Sequence, residues 1–494
     1  MAELDQLRGK ALLERIRSDF IGLNTEYLQA DGQRSRRLYL DSTASTLMLG
    51  PAFRVIEQFL EHYANTHSLM HFSAKIATHE YDWAHRRILS FLGADPQQFT
   101  CFFTGSGTTA GMNRLARVFR DIRPDKDTAV ISIMEHHSND LPHRKHMQQV
   151  IHVPVEVQQD RMMCVSLPAL EQILKDNEGR VNYVAMTAVS NVTGIINPIR
   201  EIARLAHRHG ALFIMDAAQS AAHLPIDMAS PDDPEAAIDA LVFSGHKTYL
   251  PGSPGVVVAR REHLLAIEPE EVGGGMVDRV LEDRYIVKAH FPDREEAGTP
   301  NIPGAIALAA TIEILDRIGM DVLQKEEDRL IEEVIRRLKE IPGAIIYGDS
   351  EVESCPRAGS VAFNLKDLDH GFVAAALNDY YNIAVRNQCF CAHPYVKEMM
   401  IKDLEAKFGP LDFGNMGTDF RMKAGMVRAS FGLYSTLVDV DRFVGAVESL
   451  WQRREELLPL YEVNAEGEYF HRSFRFDHQE VFSINRALDH LLQP

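Results

Sequence analysis

Between Leu38 and about Gly304, short apolar runs alternate with segments of helical periodicity. Strands that alternate with helices in this way pair mainly in parallel and are covered by helices on both faces. A helix is predicted over 52–63, and the predicted strands are 129–134, 184–189, 212–215, 241–243 and 256–259. We therefore predict an α/β fold whose large domain, over 38–304, contains a mainly parallel sheet.

The pattern changes after Gly304, where a long helical stretch over 306–341 precedes a group of short strand-like runs. These runs lie at 344–347, 360–365, 383–386 and 426–431, and a further helix begins near Val438. Strands grouped in this way, apart from the alternating region, indicate a separate α+β unit. We predict a smaller α+β domain over 305–461.

The two ends of the chain have different sequence patterns. Leu12, Leu13, Ile16 and Phe20 share one helical face, so residues 1–37 are predicted to form an N-terminal helical arm packed on the body. The segment 462–494 is polar with scattered aromatic side chains, and we predict a C-terminal extension that docks on the surface.

Charge and cysteine content exclude several classes of protein. The net charge of −18 argues against a large binding surface for nucleic acid or anionic membrane, which favours a small-molecule substrate. There is no apolar run of about 18–20 residues and no leader-like N-terminus, so we expect a cytoplasmic protein. The five cysteines are too few and too scattered for a disulfide framework, and none has zinc-site spacing, so no metal is expected.

Polar residues follow two of the predicted strands. Lys247 ends the run Ser244-Gly-His-Lys247 after one strand, and Asp216 directly follows another. Ligands of such sheets bind beyond the carboxyl ends of the strands. A lysine that binds an aldehyde cofactor covalently, and an acid that keeps a pyridine nitrogen protonated, are the groups that pyridoxal 5′-phosphate (PLP) most needs. The pair therefore predicts a PLP site.

A Gly-Thr-Thr run is the candidate phosphate site. Thr108 and Thr109 precede a helical run that begins near Ala110, so backbone N–H groups and hydroxyls at a helix N-terminus can hold a phosphate. Ser244 and His246, beside the lysine, can add hydrogen-bond donors to the same phosphate.

Nine segments together resemble, in order, the class V aminotransferase family, specifically its cysteine desulfurase and selenocysteine lyase branch. The resemblance covers roughly 38–451 and implies the PLP-dependent transferase fold of fold type I. The segments are YLDSTAS (39–45), NTHSLMH (65–71), FTGSGTT (103–109), EHHSN (135–139), SNVTG (190–194), DAAQ (216–219), SGHK (244–247), AGTP (297–300) and VRAS (427–430).

The resemblance also implies roles around the cofactor. His136 matches the histidine that stacks on the pyridine ring and can move protons. Gln219 is placed to hydrogen-bond the phenolic oxygen of the cofactor, and Asn191 lies near the same ring edge or the substrate carboxylate; the two roles can be exchanged. Thr299 resembles a residue that reaches the phosphate of the neighbouring subunit, which implies a homodimer.

Two arginines are candidates for substrate binding. Arg428 matches the arginine that holds the carboxylate of the amino-acid substrate through two parallel hydrogen bonds. Arg386 is a further candidate, and it lies in the run 383–394, which resembles the active-site loop of the family.

Cys391 lies at the position of the loop cysteine that attacks the substrate sulfur in this family. The residue occupies a polar stretch near Arg386 and His393, either of which can favour the thiolate. The resemblance therefore implies a cysteine desulfurase that converts L-cysteine to alanine, leaves a persulfide on Cys391 and serves a sulfur-acceptor protein.

Two departures from the family leave alternatives open. The charged segment 397–423 is longer than in compact members. The Cys389-Phe-Cys391 arrangement looks closer to the molybdenum cofactor sulfurases, whose extra C-terminal domain has no room in the 43 residues after Trp451. Cys389 either relays or protects a persulfide, or packs inertly. The alternative functions are a C–S lyase, a selenocysteine lyase, an aminotransferase, an epimerase or a non-catalytic scaffold.

Overall fold

A computed structural model describes residues 7–159, 161–348, 355–408 and 424–493. Its central element is a seven-stranded sheet in which Gly255–Arg260 runs antiparallel to both of its neighbours and the remaining pairs are parallel. In spatial order the strands are Phe99–Thr104, Gly255–Arg260, Ala240–Ser244, Leu212–Asp216, Val181–Thr187, Thr128–Ser132 and Gln149–Val153. The predicted α/β fold with a mainly parallel sheet is confirmed.

The sheet is buried on both faces because successive side chains of a strand point in opposite directions. In Gly255–Arg260, Val257 packs in one hydrophobic cluster with Met112, whereas Val258 packs in another with Ile88. The flanking helices of this region are Gly50–Leu60, Phe72–Phe91, Gly107–Ile122, Leu141–His146, Leu167–Asp176, Ile199–Arg208, Arg261–Leu265 and Ile302–Ile318.

Two strands of this sheet were not predicted. Gln149–Val153 lies at the sheet edge, is only partly buried and includes Gln149 and His152, so it lacks the continuous apolar run of an inner strand. Phe99–Thr104 does carry a buried aromatic run, so in this case the sequence contained the signal.

A second sheet forms the core of the C-terminal half. Its four strands, in spatial order, are Ala344–Ile346, Ser360–Leu365, Met426–Ser430 and Arg386–Gln388. The helices Met320–Leu338, His370–Tyr381 and Leu437–Gln452 bury their apolar side chains against it. The helical stretch predicted over 306–341 is thus two helices, divided at Gly319, whose φ of +89° is available mainly to glycine.

The N-terminal segment contacts both cores. Leu13, Ile16 and Phe20 are buried in the large cluster, from the helix Gly9–Ile16 onward. Leu38 and Leu40 instead pack in the core of the second sheet, where Leu38–Tyr39 pairs in parallel with Ile383–Ala384. The N-terminal segment thus packs against both parts of the chain, and the domain boundaries at 37, 304 and 461 remain a prediction.

The remaining elements are short or peripheral. The segment 397–423 begins in the helix His393–Phe408, and residues 409–423 lie outside the described residues. Within the described residues, no helix is both long and apolar enough to cross a membrane. Besides Leu38–Tyr39 with Ile383–Ala384, the strand pairs described outside the two sheets are Glu26–Leu28 with Arg34–Arg36, Val155–Gln158 with Arg161–Val165, Val277–Val280 with Tyr285–Val287, and Tyr461–Val463 with Tyr469–His471. The last helices are Arg454–Leu457, His478–Val481 and Ile484–Leu491.

Candidate active site

A cavity of about 610 Å³ opens at the carboxyl ends of the central strands, and residues from both sheets line it. It contains every predicted site residue except Thr299. Those residues are Thr108, Thr109, His136, Asn191, Asp216, Gln219, Ser244, His246, Lys247, Arg386, Cys391 and Arg428, and the neighbouring Cys389 also lines the cavity.

Lys247 and Asp216 lie at the ends of neighbouring strands, close enough for each to shift the pKa of the other. Asp216 is the last residue of Leu212–Asp216 and is 2 % exposed, and Lys247 follows Ala240–Ser244 in a short 3-10 turn. Burial lowers the pKa of Lys247 to about 8, although the Asp216 carboxylate opposes this change. Burial raises the pKa of Asp216 to about 6, although the hydrogen bond that its Oδ1 accepts from the Ala218 N–H opposes this change. Both groups can therefore change protonation state near neutral pH.

The N-terminus of the helix Gly107–Ile122 closes one end of the cavity. Ser244 Oγ accepts the Thr108 N–H at 2.8 Å and lies 2.8 Å from Thr108 Oγ1, while Thr109 Oγ1 lies 2.7 Å from Ser138 Oγ. The first N–H groups of a helix lack intrahelical acceptors, so this end favours an anion. A Cβ at Gly107 would lie 2.5 Å from Ser244 Oγ, which requires a glycine at this close approach.

His136 is held as a neutral imidazole. Its Nδ1 accepts the Ser138 N–H at 3.1 Å, so the neutral ring carries its proton on Nε2. Burial, with the nearby Lys247 cation, lowers the pKa of His136 to about 3. The ring is therefore an uncharged face of the cavity at physiological pH.

Glu135 lies beside the cavity-lining His136, and the sequence analysis assigned it no role. Its buried carboxyl accepts hydrogen bonds from Ser132 Oγ at 2.5 Å, Asn139 Nδ2 at 2.6 Å and the Thr187 N–H at 3.0 Å. Burial raises the pKa of Glu135 to about 8. These contacts hold the segment that carries His136 in place. In the sequence, Glu135 could have been noticed as one of the two polar residues, with Ser138, that flank His136-His137.

Arg428 is 3 % exposed and has an unused donor. Its Nη1 donates to the Asn191 carbonyl at 2.6 Å, and its Nη2 lies 3.5 Å from Asp41 Oδ1. The Phe390 ring lies 4.6 Å from the guanidinium carbon. Arg428 Nε is buried with no acceptor among the described residues. Burial lowers the pKa of Arg428 to about 10, so the side chain remains cationic.

Two residues that were predicted to contact the cofactor have side chains that hydrogen-bond to backbone carbonyls in this structure. Asn191 Nδ2 donates to the Phe390 carbonyl at 2.7 Å, and Gln219 Nε2 donates to the Thr43 carbonyl at 2.9 Å. Arg386 is exposed and pairs with Asp41 at 2.9 Å, so Asp41 lies between the two candidate arginines. His246 Nδ1 lies 3.3 Å from Ser45 Oγ. The sequence analysis assigned no role to Asp41 or Phe390, which contact these arginines.

The loop that carries Cys391 has an unusual backbone. Gln388, Phe390 and Cys391 all have positive φ angles, of +87°, +51° and +55°. Cys391 is exposed at the cavity, and its carbonyl accepts the His137 N–H at 2.8 Å. Cys389 is buried and its Sγ donates to the Ala424 carbonyl at 2.9 Å. The loop therefore exposes the Cys391 thiol at the cavity, whereas the Cys389 thiol is buried and hydrogen-bonded, although Cys389 also lines the cavity.

Thr299 lies apart from the cavity. It is exposed, and its Oγ1 accepts a hydrogen bond from Asn65 Nδ2 at 3.3 Å. Within the part of the chain that the structure describes, no cluster of three or more His, Cys, Asp or Glu side chains is arranged to hold a metal ion.

Taken together, a mainly parallel seven-stranded sheet and a lysine and a buried aspartate at adjacent strand ends define the fold type I class of PLP-dependent enzymes. The family model of class V aminotransferases matches residues 38–443. The chain belongs to this family, as its nine ordered segments indicated.

Relatives and solved structures give the same family. A probable cysteine desulfurase of Halalkalibacterium halodurans is 34% identical over 83% of this chain and 92% of its own length. A cysteine desulfurase of Klebsiella pneumoniae is 31% identical over 89% of this chain and 98% of its own. The apo cysteine desulfurase of Thermococcus onnurineus superposes with a TM-score of 0.74 at 30% identity, covering 90% of this chain and 99% of that one.

Proposed function

We propose that this protein is a PLP-dependent cysteine desulfurase, which takes sulfur from L-cysteine to give alanine and a persulfide on Cys391. The observation that carries the proposal is the exposed Cys391 thiol on a loop facing the cavity that holds Lys247, Asp216 and Arg428. The relatives named cysteine desulfurases, which span most of the chain, support it.

The residues present fit the cofactor. Thr108, Thr109, Ser244 and the N–H groups of the helix Gly107–Ile122 would hold its phosphate. Asp216, buried and acidic, would pair with the pyridine nitrogen, and Lys247 would bind the aldehyde carbon. When bound, PLP supplies the electron sink that acidifies the α-carbon of an amino acid.

Arg428 would hold the carboxylate of the substrate. Its buried Nε lacks an acceptor among the described residues, and its planar fork suits two parallel hydrogen bonds to one carboxylate. Phe390 covers the guanidinium, so the loop that carries Cys391 contacts the group that binds substrate. Substrate binding and loop position are therefore linked through a direct contact.

Lys247 and Cys391 would carry the bond changes. Lys247 Nζ, once the substrate amine has released it, would take the α-proton of the substrate, and its lowered pKa suits a base that acts near neutral pH. Cys391 Sγ, as the thiolate, would attack the substrate sulfur. The S–S bond forms as the bond between that sulfur and Cβ breaks and leaves its electron pair on carbon. Protonation at Cβ and return of the α-proton by Lys247 then give alanine. His136, neutral throughout, would stack on the cofactor ring without adding charge.

The proposal extends to partners that a single chain does not display. We include a homodimer, with Thr299 at the phosphate of the neighbouring subunit, a sulfur-acceptor protein and a cytoplasmic location. The net charge of −18 supports a partner or substrate other than nucleic acid.

Two substitutions test the assignment. Lys247→Ala should abolish the visible absorbance of bound PLP and all turnover. Cys391→Ser should keep that absorbance and stop alanine formation from L-cysteine. Cys389→Ser is the matched control, because its thiol is buried and hydrogen-bonded to the Ala424 carbonyl, and it should keep most of the activity. Normal alanine formation by the Cys391→Ser protein would exclude Cys391 as the nucleophile.

A further inference from the structure

Two cysteines outside the active site lie side by side. Cys164, in the strand Arg161–Val165, and Cys355, shortly before the strand Ser360–Leu365, hydrogen-bond through their thiols although they are far apart in the chain. The first belongs to the large domain as we divide the chain, and the second to the smaller one. No disulfide joins any of the five cysteines, all of which are described.

Hydrogen bonds to the segment 196–197 hold the two cysteine-bearing segments together. The Val165 N–H donates to Asn197 Oδ1 at 3.0 Å, on the side of Cys164. The Ile196 N–H donates to the Pro356 carbonyl at 2.9 Å, on the side of Cys355. One short segment, 196–197, therefore contacts the residue that follows each cysteine and brings the two cysteine-bearing segments together.

The two thiols have unequal access to solvent. Cys164 is half-buried, whereas Cys355 is 1 % exposed. The hydrogen bond from Cys355 lowers the pKa of Cys164, which favours the thiolate at this more accessible sulfur. An oxidant from solvent would meet Cys164 first and leave Cys355 as the second, resolving thiol.

We propose that Cys164 and Cys355 are a reversible disulfide site that joins the two domains. The oxidant is a peroxide: the Cys164 thiolate attacks one oxygen, the O–O bond breaks, and a sulfenic acid forms with release of one water. The Cys355 sulfur then attacks the sulfenic sulfur, the S–S bond forms, and a second water leaves. Two thiols lose two electrons and two protons, and hydrogen peroxide becomes two waters. A dithiol reductant reverses the bond.

The bond would lie near the helix that follows the loop carrying Cys391. Tyr395 is fully buried, is close enough for both sulfurs to affect its pKa, and belongs to the helix His393–Phe408 that follows that loop. The active-site cavity itself takes Asp216 from one domain and Arg428 from the other. A cross-link between the domains at this place would fix their relative position, and closing so long a chain loop stabilises a folded protein.

The test uses full-length Cys391→Ser protein, which removes the exposed active-site thiol from competition. The reduced protein is treated with hydrogen peroxide, blocked with N-ethylmaleimide, digested without reductant and analysed by mass spectrometry. We expect a peptide pair joined through Cys164 and Cys355 that dithiothreitol separates. We also expect a melting temperature at least about 3 °C above that of the reduced protein.

Matched variants distinguish the outcomes. Neither readout depends on cysteine turnover, so failure of the proposed disulfide and failure of the proposed desulfurase function can be told apart. Adding Cys164→Ser should remove both the linked peptide and the rise in melting temperature, whereas adding Cys101→Ser, at another buried cysteine, should remove neither. Oxidation of Cys164 to a sulfinic acid while Cys355 stays a thiol would overturn the proposal. A linked peptide without a higher melting temperature would overturn the stabilising role.

Discussion

At the scale of single residues, the cavity penalises the charges on both Asp216 and Lys247. Asp216 has an ordinary pKa of 3.8 and a pKa of about 6 in the folded chain. A carboxyl group whose pKa rises on folding binds its proton more tightly in the native state. The native state therefore loses stability as the pH rises from about 4 through 6. Above that window the ionised carboxylate costs the apo protein on the order of 3 kcal/mol.

The first prediction follows from this cost. Asp216→Asn should make the apo protein more stable by roughly 2–3 kcal/mol above pH 6, and by little below pH 4, where the wild-type carboxyl is protonated. The same change should weaken PLP binding, because the amide cannot pair with a protonated pyridine nitrogen. Denaturant titrations of the apo proteins at several pH values, with PLP titrations beside them, measure both effects. Equal stability of the two proteins at pH 7.5 would contradict the account.

Lys247 gives a prediction of pH dependence. Only a neutral amine attacks an aldehyde, and burial lowers the pKa of Lys247 from 10.5 to about 8. The rate at which the apo protein gains the visible absorbance of bound PLP should rise with pH and level off above about pH 8. Stopped-flow absorbance between pH 6 and 10 measures it. A rate that still climbs through pH 10, as for an exposed lysine, would show that Lys247 is not held in this way.

At the scale of elements, the loop before the helix His393–Phe408 holds Gln388, Phe390 and Cys391 in the left-handed region. Such angles cost a non-glycine residue about 1 kcal/mol or more, and strain of this kind concentrates at functional sites. The strain is offset by contacts of the loop, including Phe390 over Arg428 and the Cys391 carbonyl with the His137 N–H.

The strained backbone predicts the effect of glycine at one position. Gln388→Gly should stabilise the protein by about 0.5–1 kcal/mol, because glycine adopts a φ near +87° without a Cβ penalty. Asn387→Gly, one residue earlier at a position without positive φ, is the matched control and should destabilise it, since it also loses the contact with His370 at 3.2 Å. Urea unfolding of the two variants compares them. A loss of stability in both would argue against strain at Gln388.

Local patterns explain how much of this architecture the sequence could predict. Parallel strands carry continuous apolar runs, so the inner strands and the polar residues at their ends, Asp216 and Lys247, were identifiable. The family resemblance then placed Arg428 and Cys391 near them. Contacts between distant segments left no local signal: Asp41 between two arginines, Phe390 over Arg428, and Cys355 beside Cys164. Each depends on how the two sheets pack together, which spacing along one chain does not encode.

At the scale of the whole molecule, the proposed homodimer would build each active site from residues of both subunits. If Thr299 serves the phosphate of the neighbouring subunit, each site uses Lys247 from one chain and Thr299 from the other. Thr299→Glu, at an exposed position, should weaken PLP binding by charge repulsion without unfolding the chain. Lys247→Ala should be inactive on its own.

Co-expression of these two variants tests the shared site. A heterodimer of Lys247→Ala and Thr299→Glu chains contains one intact site, so the mixture should be clearly more active than either variant at the limiting PLP concentration that impairs the Thr299→Glu protein. Each variant co-expressed with a second copy of itself is the control. Activity of the mixture no higher than the average of the two controls would place Thr299 outside the neighbouring site.

The central claim is tested most directly by following the sulfur atom of one substrate. Full-length protein loaded with PLP receives one equivalent of L-cysteine without reductant; the amino-acid product is then identified and the protein is digested for mass spectrometry. The account predicts alanine, together with a Cys391 peptide heavier by one sulfur atom and an unchanged Cys389. Pyruvate and ammonia with an unmodified Cys391, or no product beside an intact cofactor spectrum, would contradict it.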